Sequence, residues 1–156
     1  MRITLIESGK TRDSFIKEGV ELFRLRVVRY VPFKIETLPE LKKTRNLTMK
    51  EVQNQEGVLL LKWVKPTDHL VLLDERGQEY NSISFAEYLN SLEGRVNHLV
   101  FVIGGPYGFS EEVYKRADAQ LSLSKLTFSH QLVRVIFMEQ LYRAYTILKG
   151  EPYHHA

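Results

Sequence analysis

The sequence predicts one α/β domain over residues 1–156, with a mainly parallel sheet and helices on both of its faces. Short β-rich runs at Arg2–Glu7, Phe33–Thr37, Leu70–Asp74 and Leu99–Ile103 alternate with longer stretches of helical periodicity, the pattern of repeated βα units. The run Leu99–Ile103 is apolar at all five positions. It is too short for a helix and has no polar face to wet, so it belongs in the middle of a sheet covered on both sides. A chain of 156 residues can bury roughly 70% of its unfolded surface, enough for such a core.

After the first strand, Asp13 caps a helix reaching about Tyr30. Its residues Ile16, Val20, Phe23, Val27 and Tyr30 recur at spacings of three and four and form one inward stripe. Pro32 follows it, and Phe33–Thr37 is the second strand. The loop Leu38–Asn46 carries Lys42, Lys43 and Arg45, either a solvated charge run or a contact for phosphate. Thr48 and Glu51 have capping-box spacing and open a helix to about Val64, with Val52, Leu59, Leu60 and Trp63 inward. The third strand, Leu70–Asp74, runs into an expected turn at Arg76-Gly77-Gln78. Ser84 and Glu87 suggest a second capping box, for a helix that Gly94 ends.

The strand Leu99–Ile103 stops in Gly104-Gly105-Pro106-Tyr107-Gly108, and Ser110 can cap the next helix, with Glu111 and Glu112 in its first turn. Strand, glycine loop and helix together mark where open α/β sheets bind ligands, although the same glycines also suit a plain tight turn. No phosphate fingerprint is present, neither GxGxxG in the loop nor GxxxxGK[ST] anywhere, and two acidic residues at the helix start would repel a pyrophosphate. The loop therefore suits a ligand that is uncharged or cationic at that end.

Composition excludes several classes. No apolar run approaches the ~20 residues of a membrane span, and the chain begins directly as a strand, so no membrane role and no signal peptide are expected. The absence of cysteine removes disulfides, thiolate metal sites and cysteine nucleophiles, and fits the cytoplasm. No serine-histidine-acid order, HExxH motif or paired-carboxylate spacing is present, and no metal is expected. A net charge of +3 permits an acidic partner such as RNA without requiring one.

A short strand-like piece at Leu121–Leu126 precedes Ser129-His130 and a helix from Gln131 to about Lys149. That helix is apolar on nearly all sides, which calls for burial and points to a second subunit. Arg134 within it suits a structural pair with a carboxylate such as Glu139 or Glu112. The tail Glu151–Ala156 holds an aromatic and two histidines, which suit base stacking and proton transfer or simply form a polar end.

The segments VLLDERG (Val71–Gly77), FVIGGPYGFS (Phe101–Ser110), LSLSKLTFSHQLVRVIFMEQLYRAYTI (Leu121–Ile147) and the ending PYH (Pro152–His154), taken together, resemble the ribosomal RNA large subunit methyltransferase H family of the SPOUT superfamily. The resemblance runs from Arg2 to the last residues. It implies a C-terminal trefoil knot, a homodimer built on the last helix, S-adenosyl-L-methionine as cofactor, and methylation of N3 of a pseudouridine in 23S rRNA, within the ribosome. By the same resemblance the cofactor contacts are Leu73, Gly104 and the segment Leu123, Ser124, Lys125, Leu126, Thr127 and Phe128, while His130, Arg134, Tyr153 and His154 lie near the reaction. Arg134 would stabilise the anionic base, and His154 would accept a proton or position the base. His155 stands where many members carry a basic residue. A related enzyme acting on tRNA, or a noncatalytic ribosome-binding factor that keeps the knot, are the alternatives.

Overall fold

The computed structural model describes all 156 residues. Five strands, β1 (Arg2–Ser8), β2 (Phe33–Leu38), β3 (His69–Glu79), β4 (His98–Ile103) and β5 (Ala119–Ser122), form one sheet in the order β2-β1-β4-β3-β5. Every pair is parallel. Five helices connect and cover them: α1 (Ser14–Val27), α2 (Met49–Trp63), α3 (Ser82–Leu92), α4 (Glu111–Arg116) and α5 (Leu132–Leu148).

The two faces can be read along β4. Leu99, Phe101 and Ile103 enter the larger core with α1, α3 and α5, while Val100 and Val102 enter the smaller core with α2 and α4. This period-two division is what a strand buried on both faces requires. In the larger core, Phe101 packs against Phe137 with ring centroids 4.9 Å apart, joining the central strand to α5.

Several boundaries differ from the sequence reading, each for a local reason. The helix after Asp13 stops at Val27, and Tyr30 lies in the turn beyond it, where its hydroxyl donates to Glu151 at 2.7 Å. Residues Arg76–Gln78 are not a terminal turn but part of β3. Leu73 and Gln78 both pair with Leu121, so Asp74–Gly77 form a bulge in a strand that continues. Gly77 is needed there because a Cβ would fall 2.6 Å from the Gln120 carbonyl carbon. The α3 cap is Asn81, whose side chain accepts the Ser84 amide while Ser84 bonds back, in place of the expected Ser84–Glu87 pair. Finally, β5 ends at Ser122, leaving Leu123–Phe128 as loop rather than strand.

Candidate functional site

The carboxyl ends of the parallel strands carry the loops that build an open cavity of about 490 Å³. Its walls are Leu73 and the β3 bulge, the glycine loop from Gly104 to Phe109, and the segment after β5. Leu73, Gly104, Leu123, Ser124, Leu126, Thr127 and Phe128 all line it, together with His130. Lys125 does not: its ammonium turns away to within 4.0 Å of Glu79 and is solvent-exposed. The segment is held in shape by its own polar groups. The Ser122 hydroxyl donates to the Ser124 carbonyl at 3.0 Å, Ser124 Oγ accepts the Leu126 amide at 2.9 Å, and Thr127 donates to Glu75 at 2.7 Å. Leu126 is 75% exposed, an unusual state for a leucine and one suited to covering a ligand.

Ser110 caps α4 as its position suggested, accepting the Val113 amide at 3.3 Å. At Gly104 a Cβ would meet the Phe109 ring at 3.0 Å, so this glycine lets the loop fold back on itself at the cavity mouth. The bulge contributes Asp74 and Arg76, and α4 contributes Tyr114, groups to which sequence reasoning gave no role. Tyr114 donates its hydroxyl to Asp74 in a short hydrogen bond and accepts from Arg76 at 2.8 Å, and the Arg76 guanidinium lies 5.6 Å from the centroid of that ring. Burial, followed by the bond to Asp74, raises the Tyr114 phenol. The Asp-x-Arg-Gly pattern signalled a change of direction, but not that the chain would loop out of a strand against the cavity.

A second cavity of about 320 Å³ adjoins the first at the glycine loop. Gly105, Pro106, Tyr107 and His130 border both. Its remaining walls come from Ser8 at the end of β1, the loop after β2, and Val52, Glu56 and Leu59 of α2. Burial lowers the His130 imidazole from its ordinary value, and the neighbouring Arg134 and Arg12 add to the effect.

Arg134 is 1% exposed and opens into neither cavity. Its partner is Glu7 at 3.2 Å, rather than Glu139 or Glu112. It donates further to the carbonyls of Ser8, Gly9 and His130 and to the Thr11 hydroxyl, at 2.8 to 3.2 Å. The guanidinium thus ties the end of β1 to the start of α5, holding Ser8 and His130 in place. Burial drives the Glu7 carboxyl above its ordinary value even with the arginine beside it, and its second oxygen has no partner.

The tail folds back on α5. The Tyr153 hydroxyl donates to Glu139 at 3.1 Å, its ring packs edge-on against Tyr142 at 4.7 Å, and Arg143 lies 4.7 Å from its centroid. Arg143 also donates to His154 Nδ1 at 3.2 Å, which leaves the ring proton on Nε2. Glu139 and Arg143 stand about 14 and 20 Å along the helix from His130, and neither Tyr153 nor His154 lines either cavity of its own subunit. No three His, Cys, Asp or Glu side chains are grouped as metal ligands, and no helix is long and apolar enough to cross a membrane.

Comparison with known proteins completes the picture. Residues 1–154 match the family model described as a predicted SPOUT methyltransferase. The chain is 51% identical over 156 residues to a protein of Christiangramia forsetii and 50% identical to one of Parabacteroides distasonis, in each case over 99% of both chains. Both relatives carry the name Ribosomal RNA large subunit methyltransferase H. Among solved structures, a Legionella pneumophila protein described as a methyltransferase with bound SAM shares the fold, with a TM-score of 0.50 and 13% identity over 92% of this chain and 66% of that one.

Proposed function

Because the chain belongs to the SPOUT methyltransferase family, we propose that it transfers the methyl group of S-adenosylmethionine to N3 of a pseudouridine in 23S rRNA. The observation that carries this reading is the full-length identity near 50% to relatives named as ribosomal RNA large subunit methyltransferases, joined to a cavity at the carboxyl ends of the strands built from Leu73, Gly104 and the Leu123–Phe128 segment. The cavity suits the cofactor. Its apolar lining can enclose an adenine, its loops offer backbone amides and carbonyls, and Glu75 stands beside the Asp74–Arg76 pair, leaving no excess of cations for a phosphate. The bound cofactor supplies an electrophilic methyl that needs no activation. The protein must therefore orient the acceptor, exclude water and manage one proton. Arg134 contributes by positioning Ser8 and His130.

The active form in this reading is a homodimer in the cytoplasm. Phe15, Leu22 and Leu25 of α1 are exposed beside α5, which itself leaves Leu132 exposed, and a second copy would cover this apolar surface. Tyr153 and His154, remote from the cavities of their own subunit, then meet RNA across that dimer. The C-terminal trefoil knot belongs to the same reading. With β5 outside β3, the chain must return across the sheet to bring α5 against α1 and α3.

The test is mass spectrometry of ribosomal RNA from a strain lacking the gene, with purified protein added back to its large subunits. One pseudouridine should lack a single methyl and regain it. Methyl transfer to tRNA alone would support the first alternative, and cofactor binding without transfer to any RNA would support the second.

A further inference from the structure

We propose that the 320 Å³ cavity behind the glycine loop receives the target base and that the Glu56 carboxylate accepts its imide proton. The inference rests on the methyl-transfer reading above. The two cavities adjoin along the glycine loop, where Gly105, Pro106, Tyr107 and His130 line both. Two ligands meeting along that shared lining would place a methyl donor against an acceptor. The smaller cavity is at the low end of the ligand range, sized for a single ring. Apolar Pro39, Val52, Leu59 and Pro106 can cover the faces of such a ring, while Ser8 and Glu56 offer polar atoms to its edge.

Glu56 is distinctive among the carboxylates here. It lies against the backbone of Gly105, where an added Cβ would fall 2.6 Å from its Oε2, so it sits at the shared lining itself. Burial alone raises its pKa, with no hydrogen bond or opposite charge acting against that effect. A carboxylate left without a partner in a cavity is ready to accept a proton from a ligand. The other charged or titratable groups facing this space are Arg12 and Glu40, already paired at 2.8 Å, with His130 and Tyr107. Glu7 and Arg134 satisfy one another below Ser8. In the reaction, the N3–H proton moves to Glu56, and the N3 electron pair bonds to the methyl carbon. The carbon–sulfur electron pair stays on sulfur, and the products are the N3-methyl base, the neutral thioether and a protonated Glu56 that returns its proton to water.

The experiment compares the wild-type dimer with Glu56→Gln and Glu56→Asp on large ribosomal subunits lacking the methyl group. Glu56→Gln should lose at least a hundredfold in single-turnover rate and recover as pH rises, with cofactor affinity within twofold of wild type. Glu56→Asp should keep part of the rate. Separately, titrating cofactor-free wild-type protein with pseudouridine should shift the amide resonances of Ser8, Gly105 and Tyr107. A Glu56→Gln rate within threefold of wild type with an unchanged pH profile, or a titration that leaves those resonances unmoved, would overturn the assignment. Wild-type protein inert toward every RNA would instead overturn the underlying reading, and this inference with it.

Discussion

The Thr4-His98-Asp68 row and the Glu7 carboxylate, at opposite ends of the sheet, differ in how their buried polar groups are met. At the amino ends of the strands, Asp68 accepts from His98 Nδ1 at 2.8 Å, leaving His98 Nε2 to accept from the Thr4 hydroxyl at 2.8 Å, and the second Asp68 oxygen takes the Lys65 amide at 2.8 Å. Each partner is satisfied, and all three side chains are buried. At the carboxyl ends, Glu7 has an unpartnered oxygen, Glu56 has no partner in the chain, and two cavities share a glycine wall. A Thr-His-Asp row looks like catalytic machinery in a list of residues, yet here it closes the sheet. Open volume at the carboxyl ends, rather than residue type, marks the working end.

The comparison is broken most severely by removing Arg134, which pairs with the buried Glu7 at the carboxyl end. Arg134→Met leaves Glu7 charged and uncompensated and should cost about 3–5 kcal/mol in denaturant unfolding. Adding Glu7→Gln should restore most of that loss, because the penalty lies in the orphaned charge. The sign with pH follows from a carboxyl raised in the folded state. Its folded form holds the proton more tightly than its unfolded form, so the variant should be most stable below the ordinary value of 4.5 and lose stability as pH rises through the folded value.

The closed end should respond with the opposite pH sign. Burial works to raise Asp68, but the Lys65 amide and His98 outweigh it and hold the carboxyl below its ordinary 3.8. Its contribution is therefore present above that value and lost as pH falls through the folded one. His98→Ala should cost about 3 kcal/mol by leaving Asp68 and Thr4 short of a partner, and should shift this acid loss to higher pH. Cofactor affinity should stay unchanged, which separates the two ends in one measurement.

How much of this was legible in the sequence depended on whether the signal was local. The uniform apolar run of β4 and the Ser110 cap are local, and both appear as read. The bulge at Asp74–Gly77 was visible only as turn chemistry, because what keeps β3 going is its pairing with β5 more than forty residues later. Arg134 read as a structural arginine from its helix and, by the resemblance, as a group near the reaction; its partner Glu7 sits 127 positions away on β1, where no spacing rule reaches. Glu56 reads as an ordinary exposed-face glutamate until the glycine loop is laid across it. The family motifs cover only one side of the smaller cavity, Gly105, Pro106, Tyr107 and His130; Ser8, the loop after β2 and the α2 residues that close it carry none of the quoted motifs.

A smaller change at the working end should come from Gly104→Val. The Cβ alone reaches 3.0 Å from Phe109, so the two methyls beyond it must push the ring or the loop into the larger cavity. S-adenosylmethionine affinity should fall at least tenfold by calorimetry, about 1.4 kcal/mol, while unfolding at the amino end of the sheet is unaffected.

The smallest effect on the fold belongs to Lys42, Lys43 and Arg45, on the exposed loop that follows β2 at the same end as the cavities. Replacing all three by Ala should change stability by less than about 0.5 kcal/mol, as exposed charges away from packed features generally do. Lys43 holds a left-handed backbone, φ 59°, that alanine must hold equally, so the loop conformation adds little to the difference. If the loop meets RNA phosphates, each lost contact retains counterions that binding would otherwise release. The slope of log affinity against log salt should then flatten by about 2 to 3. Cofactor affinity and the methyl-transfer rate at saturating substrate should stay at wild-type values, because none of the three side chains lines either cavity. An unaltered salt slope would return the loop to a solvated surface and confine RNA recognition to the cavities and the tail.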